Sequence, residues 1–526
     1  MTTDQLEIYD TTLRDGSQQE GISLTVGDKL QVAGLLDSLG VHYIEGGWPG
    51  ALPKDDEFFA RAGKELTLRH AELVAFGSTR RPSARPESDP QLAALIAAGT
   101  ETICIVGKSW DYHVREALRT DLDEGQRMVG DSVGHLRAHD RRVFFDAEHF
   151  FDGYRSNPGF AMAVLQAAFE SGAERLVLCD TNGGTLPHEI ADTMQRVQNE
   201  FPGAEIGVHF HNDAGCAVAS SLVAVRAGVR QVQGCINGYG ERTGNADLCS
   251  IIPDLVLKMG IPVVDSEQLA QLGPTAHHIA EIVNISLDPH RPYVGSSAFT
   301  HKAGLHTSAL ARRPDAYEHT RPSLIGNSTR MVVSEQAGRA SVLHKATELG
   351  LELSDDQARR VLEEVKQLEL DGYQFEAADG SFELLVRRSL GWRQWFFSIE
   401  SFRASVERRE AAPVTAEATV TVLINGATVT ETGIGNGPVN ALDQALRTAL
   451  RPAYPEIDTL RLTDYRVRVI DSSVGTGARV RVLLETSGPE ASWSTIGVHD
   501  NVIEASLEAL VDGLVIGLLR SVAQAD

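Results

Sequence analysis

Two histidines stand two residues apart at the end of a strand-like run, EIGVHFHND (205–213). Since alternate side chains of a strand share a face, His209 and His211 are predicted to point the same way. Two imidazoles on one wall need one carboxylate to complete a 2-His-1-carboxylate set, which holds a divalent ion and leaves coordination positions open for substrate. The predicted carboxylate is Asp15, in YDTTLRDGSQQEG (9–21).

Arg14 immediately precedes that aspartate. A guanidinium offers a fork of donors that matches a carboxylate or a developing oxyanion. An arginine beside a metal ligand therefore suits a substrate that carries both a carboxylate and a ketone. Together, the residues predict a metal-dependent enzyme that acts on a 2-keto acid.

Other polar residues have two interpretations each. Asn245, in NGYGERTGNAD, is either a fourth, oxygen ligand or part of a tight backbone course set by its neighbouring glycines. Asp10 either caps the first strand's turn or orients Arg14. Glu45 and Glu148 are each either a general base or a group that orients another side chain. His306, in FTHKAGLHTSAL, is by itself more typical of an exposed histidine.

Short apolar runs recur with helical stretches between them, and many of the helical stretches end in glycine. Eight such β-then-α units over roughly 250 residues favour a closed (β/α)8 TIM barrel over an open sheet, and active sites of such barrels lie at the carboxyl ends of the strands. Polar residues cluster at the ends of these runs, which supports the prediction; they are Arg14, Asp15, Glu45, Glu148, Asp180, Thr181, His209, His211 and Asn237. The eight runs are 6–10, 41–47, 73–77, 102–107, 142–150, 175–181, 205–212 and 229–237.

Beyond the predicted barrel the pattern becomes irregular and mostly helical to about residue 400. The charged, Pro-containing segment 407–418 is predicted to be an interdomain linker. The predicted domains are a catalytic barrel at 1–270, a helical linker region at 271–406 that contributes to the active site, and a regulatory domain at 413–526.

The last domain contains an internal repeat, because residues 418–450 resemble residues 478–514. Each copy has alternating strands, an Ile-Gly pair and an amphipathic helix. Duplicated βββα halves predict an α+β module with a pseudo-twofold axis, which binds a small effector or pairs with a second subunit.

Composition excludes some functions. The net charge of −24 over 526 residues argues against a nucleic-acid partner, whose phosphates demand a basic surface. The five cysteines form no CxxC pair and are expected to be free thiols in a reducing compartment. No apolar run reaches membrane-spanning length and the N-terminus is not typical of a signal peptide, so a cytoplasmic location without membrane contact is expected.

Several long motifs, in order, resemble the α-isopropylmalate, homocitrate and citramalate synthase family of barrel metalloenzymes with a C-terminal regulatory domain. They are DTTLRDGSQQEG, VHFHND, NGYGERTGNADL, KAGLHTSA and IGNSTRMVVSEQAGRA. Two further segments, IEGGWPGALPKDDEFF and VLCDTNGGTLPHEI, are most similar to the citramalate synthase branch. The similarity covers nearly the whole chain.

The resemblance implies an acyltransferase that condenses acetyl-CoA with pyruvate to give (R)-citramalate and CoA, in isoleucine biosynthesis. It also implies a divalent ion (Mn²⁺, Mg²⁺ or Zn²⁺), a homodimer and an amino-acid effector. The implied effector is isoleucine, the end product of the route. The implied site residues are the metal ligands Asp15, His209, His211 and Asn245, the substrate-binding Arg14 and Thr181, and the proton-transfer groups Glu148, His306 and Tyr317.

Three alternatives remain open. A 2-isopropylmalate synthase, acting on 2-ketoisovalerate, or a homocitrate synthase differs only in its keto-acid pocket. A lyase that runs the reverse cleavage resembles the same barrel but carries a cysteine near 238–244, where this chain has Glu241 and Arg242, and lacks the duplicated tail. A catalytically silent amino-acid sensor is disfavoured by the intact set of Arg14, Asp15, His209 and His211.

Overall fold

The protein is described by a computed structural model that divides into two compact units. The first comprises residues 1–299 and 320–328, and the second comprises residues 300–319 and 329–526. The three-domain division predicted from the sequence stays a prediction. The residues described by the structure are 6–302, 306, 309–310, 312–333, 338–392, 396–408, 414–470, 475, 477–489 and 491–523.

Eight parallel strands of the first unit close into a barrel, in which β1 pairs with both β2 and β8. The predicted TIM barrel is therefore confirmed. The strands are β1 (Glu7–Asp10), β2 (Tyr43–Gly47), β3 (Glu72–Ser78), β4 (Thr102–Lys108), β5 (Arg142–Glu148), β6 (Arg175–Asp180), β7 (Glu205–Phe210) and β8 (Gln231–Gly234).

Twelve labelled helices of this unit connect the strands or follow the barrel. They are α1 (Val26–Leu39), α2 (Pro53–Glu65), α3 (Pro90–Ala97), α4 (Asp111–Glu116), α5 (Leu122–Ala138), α6 (Phe150–Ser156), α7 (Pro158–Glu170), α8 (Pro187–Glu200), α9 (Ala217–Arg226), α10 (Leu248–Pro253), α11 (Ser266–Ala270) and α12 (Leu272–Ile282). Local sequence sets their ends. Helix α1, for example, begins with a capping box between Thr25 and Asp28 and ends at Gly40, whose φ of 86° suits glycine.

The barrel strands are buried on both faces, which explains why their sequences are nearly continuous apolar runs. Inside the barrel, the rings of Tyr9, Tyr43 and Phe144 pack with centroids 5.2 to 6.2 Å apart. This aromatic layer fills the interior. Polar side chains at the carboxyl ends of the strands therefore pack against a rigid aromatic layer.

Among its described residues, the second unit includes two parallel two-residue strands, helices and a duplicated module. The elements before the module are β9 (Thr300–His301), β10 (Arg330–Met331), α13 (Arg339–Glu348), α14 (Asp355–Leu370) and α15 (Asp379–Ser389). The module's first half has β11 (Phe397–Glu407), β12 (Thr415–Ile424), β13 (Ala427–Gly435) and α16 (Pro438–Leu450). Its second half has β14 (Arg461–Val469), β15 (Val480–Ser487), β16 (Ser492–His499) and α17 (Val502–Ala523).

Each half of the module is a three-stranded antiparallel sheet followed by a helix, so the predicted duplicated βββα architecture is confirmed. The Ile-Gly pair of each repeat has a packing reason. A Cβ on Gly435 would lie 2.6 Å from the Ala441 nitrogen, and one on Gly497 would lie 2.0 Å from the Ala505 oxygen. Only glycine lets the last strand approach its helix this closely.

The linker prediction for 407–418 is wrong. Strands β11 and β12 pair antiparallel, with Glu407 opposite Thr415, so the segment joins two neighbouring strands of one sheet. Residues 409–413 lie outside the described residues. The charged, Pro-containing composition that suggested a linker is equally typical of the exposed connection between two strands.

All five cysteines are free, and four of them are buried, as expected from their apolar surroundings. Among the described residues, no helix is both long enough and apolar enough to span a bilayer.

Candidate active site and metal centre

The structure brings Asp15, His209 and His211 together at the carboxyl ends of the barrel strands. The Asp15 Oδ2 lies 3.1 Å from the His209 Nε2 and 3.8 Å from the His211 Nε2. The two Nε2 atoms are 3.2 Å apart. All three residues are buried, and their donor atoms lie within 4.8 Å of one another, close enough to bind one ion.

Asn245 adjoins this cluster, in an isolated bridge to His211. Its Nδ2 donates to the Asp15 Oδ2 at 2.7 Å. Its buried Oδ1 accepts no hydrogen bond from the described residues. The glycines around it are also required, because a Cβ on Gly240 would lie 2.6 Å from that Oδ1. The tight backbone course thus presents an unsatisfied oxygen beside the cluster, and the role of Asn245 as a fourth ligand stays a prediction.

Two side chains behind the cluster hold His209 in one orientation. The Gln233 Oε1 accepts from the His209 Nδ1 at 3.0 Å, and the Gln233 Nε2 donates to the Asp146 Oδ1 at 3.2 Å. Because an amide oxygen only accepts, the proton of a neutral His209 is on Nδ1 and its Nε2 keeps a lone pair. Outer partners of this kind fix the tautomer of metal-binding histidines.

Charge favours the metal-binding form of Asp15 and His211, whereas for His209 burial lowers the pKa but the adjacent Asp15 carboxylate more than offsets this and raises it. Burial opposes ionisation of Asp15, but the Arg14 guanidinium and the His209 ring together hold the pKa of that carboxyl well below its usual range. Burial and the neighbouring His209 lower the pKa of His211 to about 3. An ionised carboxylate and neutral imidazoles are the forms that bind metals. The donor set therefore fits a divalent ion.

Arg14 lines the same site, and neighbouring side chains hold its guanidinium in place. Its Nε donates to the Glu45 Oε1 at 2.5 Å, and the other Glu45 oxygen accepts from the Tyr9 hydroxyl at 2.7 Å. The guanidinium carbon lies 3.7 Å from the centre of the Phe76 ring. Glu45 is fully buried, so of its two predicted roles the geometry supports orientation of Arg14.

A cavity of about 480 Å³ opens over the cluster. Glu148 and Thr181, predicted from the sequence, both line it together with the metal-binding side chains. The Thr181 Oγ1 accepts from the His149 amide at 3.0 Å, which leaves the hydroxyl proton free to donate into the cavity. Glu148 forms an ion pair with Lys108, another lining residue.

His306 and Tyr317 belong to the second unit and are described with it. Their rings stack with centroids 4.1 Å apart, and the His301 ring lies 6.3 Å from His306. The His301 Nε2 is 3.7 Å from a carboxylate oxygen of Glu318. The structure thus brings this predicted pair into contact with each other, while the other predicted site residues cluster in the barrel.

Sequence reasoning missed four residues that shape the site. Gln233 and Asp146 carried a detectable signal, since each is a polar residue inside an otherwise apolar strand. Lys108 ends β4, where the barrel argument already placed functional groups. Phe76 had no such signal, because an aromatic residue in a buried strand is expected whether or not a cation lies over it.

The chain matches three family models in succession. Residues 5–275 match the HMGL-like family, residues 293–372 the homocitrate synthase post-HMGL domain-like family, and residues 376–517 the LeuA allosteric (dimerisation) domain. The barrel with its metal-binding cluster therefore belongs to the HMGL-like family, whose enzymes are metal-dependent.

Curated relatives define the branch. An (R)-citramalate synthase of Aquifex aeolicus (strain VF5) is 49% identical over 520 residues, covering 98% of both chains. One of Streptomyces coelicolor is 51% identical over 521 residues, covering 98% of this chain and 97% of the relative. A probable 2-isopropylmalate synthase of Methanopyrus kandleri is 31% identical over 521 residues, covering 97% of this chain and 98% of the relative. The chain belongs to the (R)-citramalate synthase family, which confirms the resemblance found in its motifs.

Proposed function

We propose that this protein condenses acetyl-CoA with pyruvate to give (R)-citramalate and free CoA. The observation that carries the proposal is the convergence of Asp15, His209 and His211 beneath a cavity that Arg14 and Thr181 also line. The full-length similarity to (R)-citramalate synthases selects the keto acid.

Asp15, His209 and His211 would hold a divalent ion such as Mn²⁺, Mg²⁺ or Zn²⁺, with the free Oδ1 of Asn245 as an adjoining ligand. When bound, such an ion acts as a Lewis acid on the carbonyl of a 2-keto acid and stabilises the developing alkoxide. The protein's own contribution is to present one carboxylate and two imidazoles at the same end of the barrel.

Arg14 binds the keto oxygen, because Glu45 and the Phe76 ring keep its guanidinium in place before substrate arrives. A preorganised donor of this kind stabilises charge that develops on the oxygen during attack, an effect worth roughly 3–4 kcal/mol per donor. Thr181 donates its free hydroxyl proton to the substrate carboxylate. These two residues thus orient the ketone toward the incoming carbon.

Glu148 takes a proton from the methyl group of acetyl-CoA, and the resulting enolate adds to the ketone carbon of pyruvate. Lys108 pairs with Glu148 and so holds its carboxylate at the wall of the cavity. His306 and Tyr317 are proposed from the family motifs to assist this proton transfer. Water then cleaves the thioester, and CoA leaves as the thiol.

Thiol release from acetyl-CoA, measured with a panel of keto acids, tests this function. We expect pyruvate to give the highest kcat/KM, with 2-ketoisovalerate and 2-oxoglutarate at least about tenfold lower, since a pocket discriminates added methylenes by 1–3 kcal/mol. Preference for 2-ketoisovalerate would assign the chain to the isopropylmalate reaction instead. No release with any keto acid would contradict the condensing activity.

For the C-terminal module, which matches an allosteric and dimerisation domain, we propose a homodimer that is inhibited by isoleucine. The experiment uses the full chain, because Ile496 and Val498 of the module pack with the helical core that contains Val361 and Phe382. Titration with isoleucine, leucine and valine should show inhibition by isoleucine at the lowest concentration. A flat isoleucine titration would contradict the assignment.

A further inference from the structure

We propose that the loop 79–89, between β3 and α3, binds the phosphate groups of the acyl-CoA substrate through Arg81, with Arg85 as a second cation. The inference rests on the proposed function and names the part of the protein that binds the far end of that substrate. It stands on three features: a rigid loop, a free cation at the cavity, and an uncharged wall beside that cation.

The loop is fixed by an ion cluster around the buried guanidinium of Arg80. Arg80 is 3% exposed, and its guanidinium binds a carboxylate oxygen of Glu124 at 2.7 Å and one of Asp131 at 2.7 Å. The same Glu124 oxygen accepts from the Ser83 amide at 2.8 Å. Both acidic residues lie on α5, so the loop is tied to a helix of the barrel wall.

The neighbouring Arg81 is held only by its backbone. Its amide donates to the Asp89 Oδ2 at 3.0 Å, while its side chain is exposed. Among the described residues, nothing forms an ion pair or hydrogen bond with its guanidinium. The chain therefore holds the backbone of Arg81 in place and leaves its charge available.

The other cations that line the same cavity are neutralised. Arg14 pairs with Glu45, Lys108 with Glu148, and Arg242 with Asp213; Arg80 is paired as described above. Arg81 is the cavity's remaining cation in the part of the chain that the structure describes. In a protein with a net charge of −24, an unpaired arginine at a cavity is a local site for an anion.

The cavity also has an uncharged wall, which includes Pro82, Leu118 and Met128. A ligand that spans this cavity must place a reacting group at the metal-binding cluster, an uncharged arm along the wall and an anion at Arg81. A thioester on a pantetheine arm that ends in phosphates has this order of groups. The short keto acid does not, since both its polar groups are already matched by Arg14 and Thr181.

Arg85 lies four residues further along the loop, is exposed, and likewise has no ion pair or hydrogen bond from its guanidinium to a described residue. It lines a surface depression with Pro86, Glu87, Ser88 and Asp131, where its guanidinium offers the positive charge beside two carboxylates. Because acyl-CoA carries a diphosphate and a separate 3′-phosphate, a second cation on the same loop matches its charge distribution. A guanidinium forms strong, charge-assisted hydrogen bonds with a phosphate group.

Calorimetric binding of CoA and of pantetheine, which lacks the phosphates, tests the proposal without requiring turnover. We expect Arg81→Ala to weaken CoA binding about tenfold, Arg85→Ala by less, and the double variant by more, with pantetheine binding unchanged. Arg81→Lys should recover part of the loss. In turnover assays, the KM for acetyl-CoA should rise about tenfold with kcat nearly constant, as for uniform binding.

The matched control is Arg69→Ala, which removes an exposed arginine just before β3, at the opposite end of the same strand, and should bind CoA as wild type does. Wild-type CoA affinity in the Arg81/Arg85 double alanine variant overturns the proposal. An equal loss of CoA and pantetheine binding also overturns it, since it reports a distorted loop. If wild type binds CoA but releases no thiol with any keto acid, the proposed function fails while the assignment of Arg81 stands.

Discussion

Two polar clusters of the molecule differ in how well their hydrogen bonds are satisfied. One is the metal-binding cluster of the barrel. The other, which we call the module cluster, lies in the second unit and consists of Ser381, Arg388 and Asp512. In the module cluster, Asp512 accepts from Ser381 at 2.8 Å and from Arg388 at 3.0 Å, and Ser381 in turn accepts from the Ile496 amide at 3.0 Å.

The barrel cluster, by contrast, leaves the Asn245 Oδ1 and the His211 Nδ1 buried without a partner among the described residues. Leaving a buried polar atom unpaired is costly, whereas a satisfied network stabilises one packing arrangement. The difference teaches that burial of polar groups alone does not mark a functional site. Donor atoms that converge on one point do, as the Asp15 carboxylate and the two histidine Nε2 atoms do beside the unsatisfied Asn245 Oδ1.

Loss of one barrel ligand should have the largest effect. We expect His209→Ala to lower turnover at least about 1,000-fold, because a bound ion supplies several kcal/mol of charge stabilisation. Metal content measured by mass spectrometry should fall in parallel. His278→Ala, which removes an exposed histidine of α12, is the matched control and should change neither quantity. Full turnover in His209→Ala would show that this cluster is structural, like the one in the module.

Loss of the central carboxylate of the module cluster should affect stability instead. Asp512→Ala leaves the Ser381 hydroxyl without its acceptor and removes one partner of Arg388, so we expect the free energy of unfolding of the second unit to fall by about 2 kcal/mol. Urea denaturation measures this, and metal content should remain at the wild-type level. As a control, Asp458→Ala removes the partner of Arg451 in a solvent-exposed ion pair, which contributes little to stability. Equal stability losses in the two variants would contradict the distinction.

Asp10 offers a third, smaller test, because it is fully buried with hydroxyl and amide partners and no cation. Burial raises its pKa to about 7, from 3.8 in the unfolded chain, despite hydrogen bonds from Thr12. Between these values the folded state binds a proton that the unfolded state lacks. Its contribution to stability is therefore full below about pH 4 and declines as the pH rises to about 7, by at most about 1.4 kcal/mol per unit.

Urea denaturation of wild type and Asp10→Asn at several pH values isolates this contribution. The difference in unfolding free energy between the two proteins should change across pH 4–7 and stay constant above pH 8. A difference that is the same at every pH would mean that Asp10 is ionised in the folded state, like Asp15. The pH dependence thus shows whether the folded protein holds Asp10 protonated or, like Asp15, ionised.

The sequence predicted the barrel well because its signal is local. Each strand is a short apolar run, and glycine ends several of the helices, so eight units are countable without tertiary information. The metal-binding set was predictable for a related reason. A strand fixes the face shared by His209 and His211, and a closed parallel barrel brings all strand ends, including that of Asp15, to one rim.

The remaining features depend on contacts that no local pattern encodes. Glu45 was open to two interpretations until its pairing with Arg14 was visible. The connection at 407–418 was misread as a linker because composition reports exposure and not strand pairing. The role of Gln233 depends on which ring nitrogen of His209 it meets, which requires the register of β7 and β8.

The most direct test of the account is a crystal grown with Mn²⁺ and measured at the manganese absorption edge. The account predicts one strong anomalous peak within bonding distance of the Asp15 carboxylate and both Nε2 atoms of His209 and His211, and its disappearance in His209→Ala. No peak at that position, in a protein that binds Mn²⁺ in solution, would contradict the assignment of the barrel cluster as the metal centre.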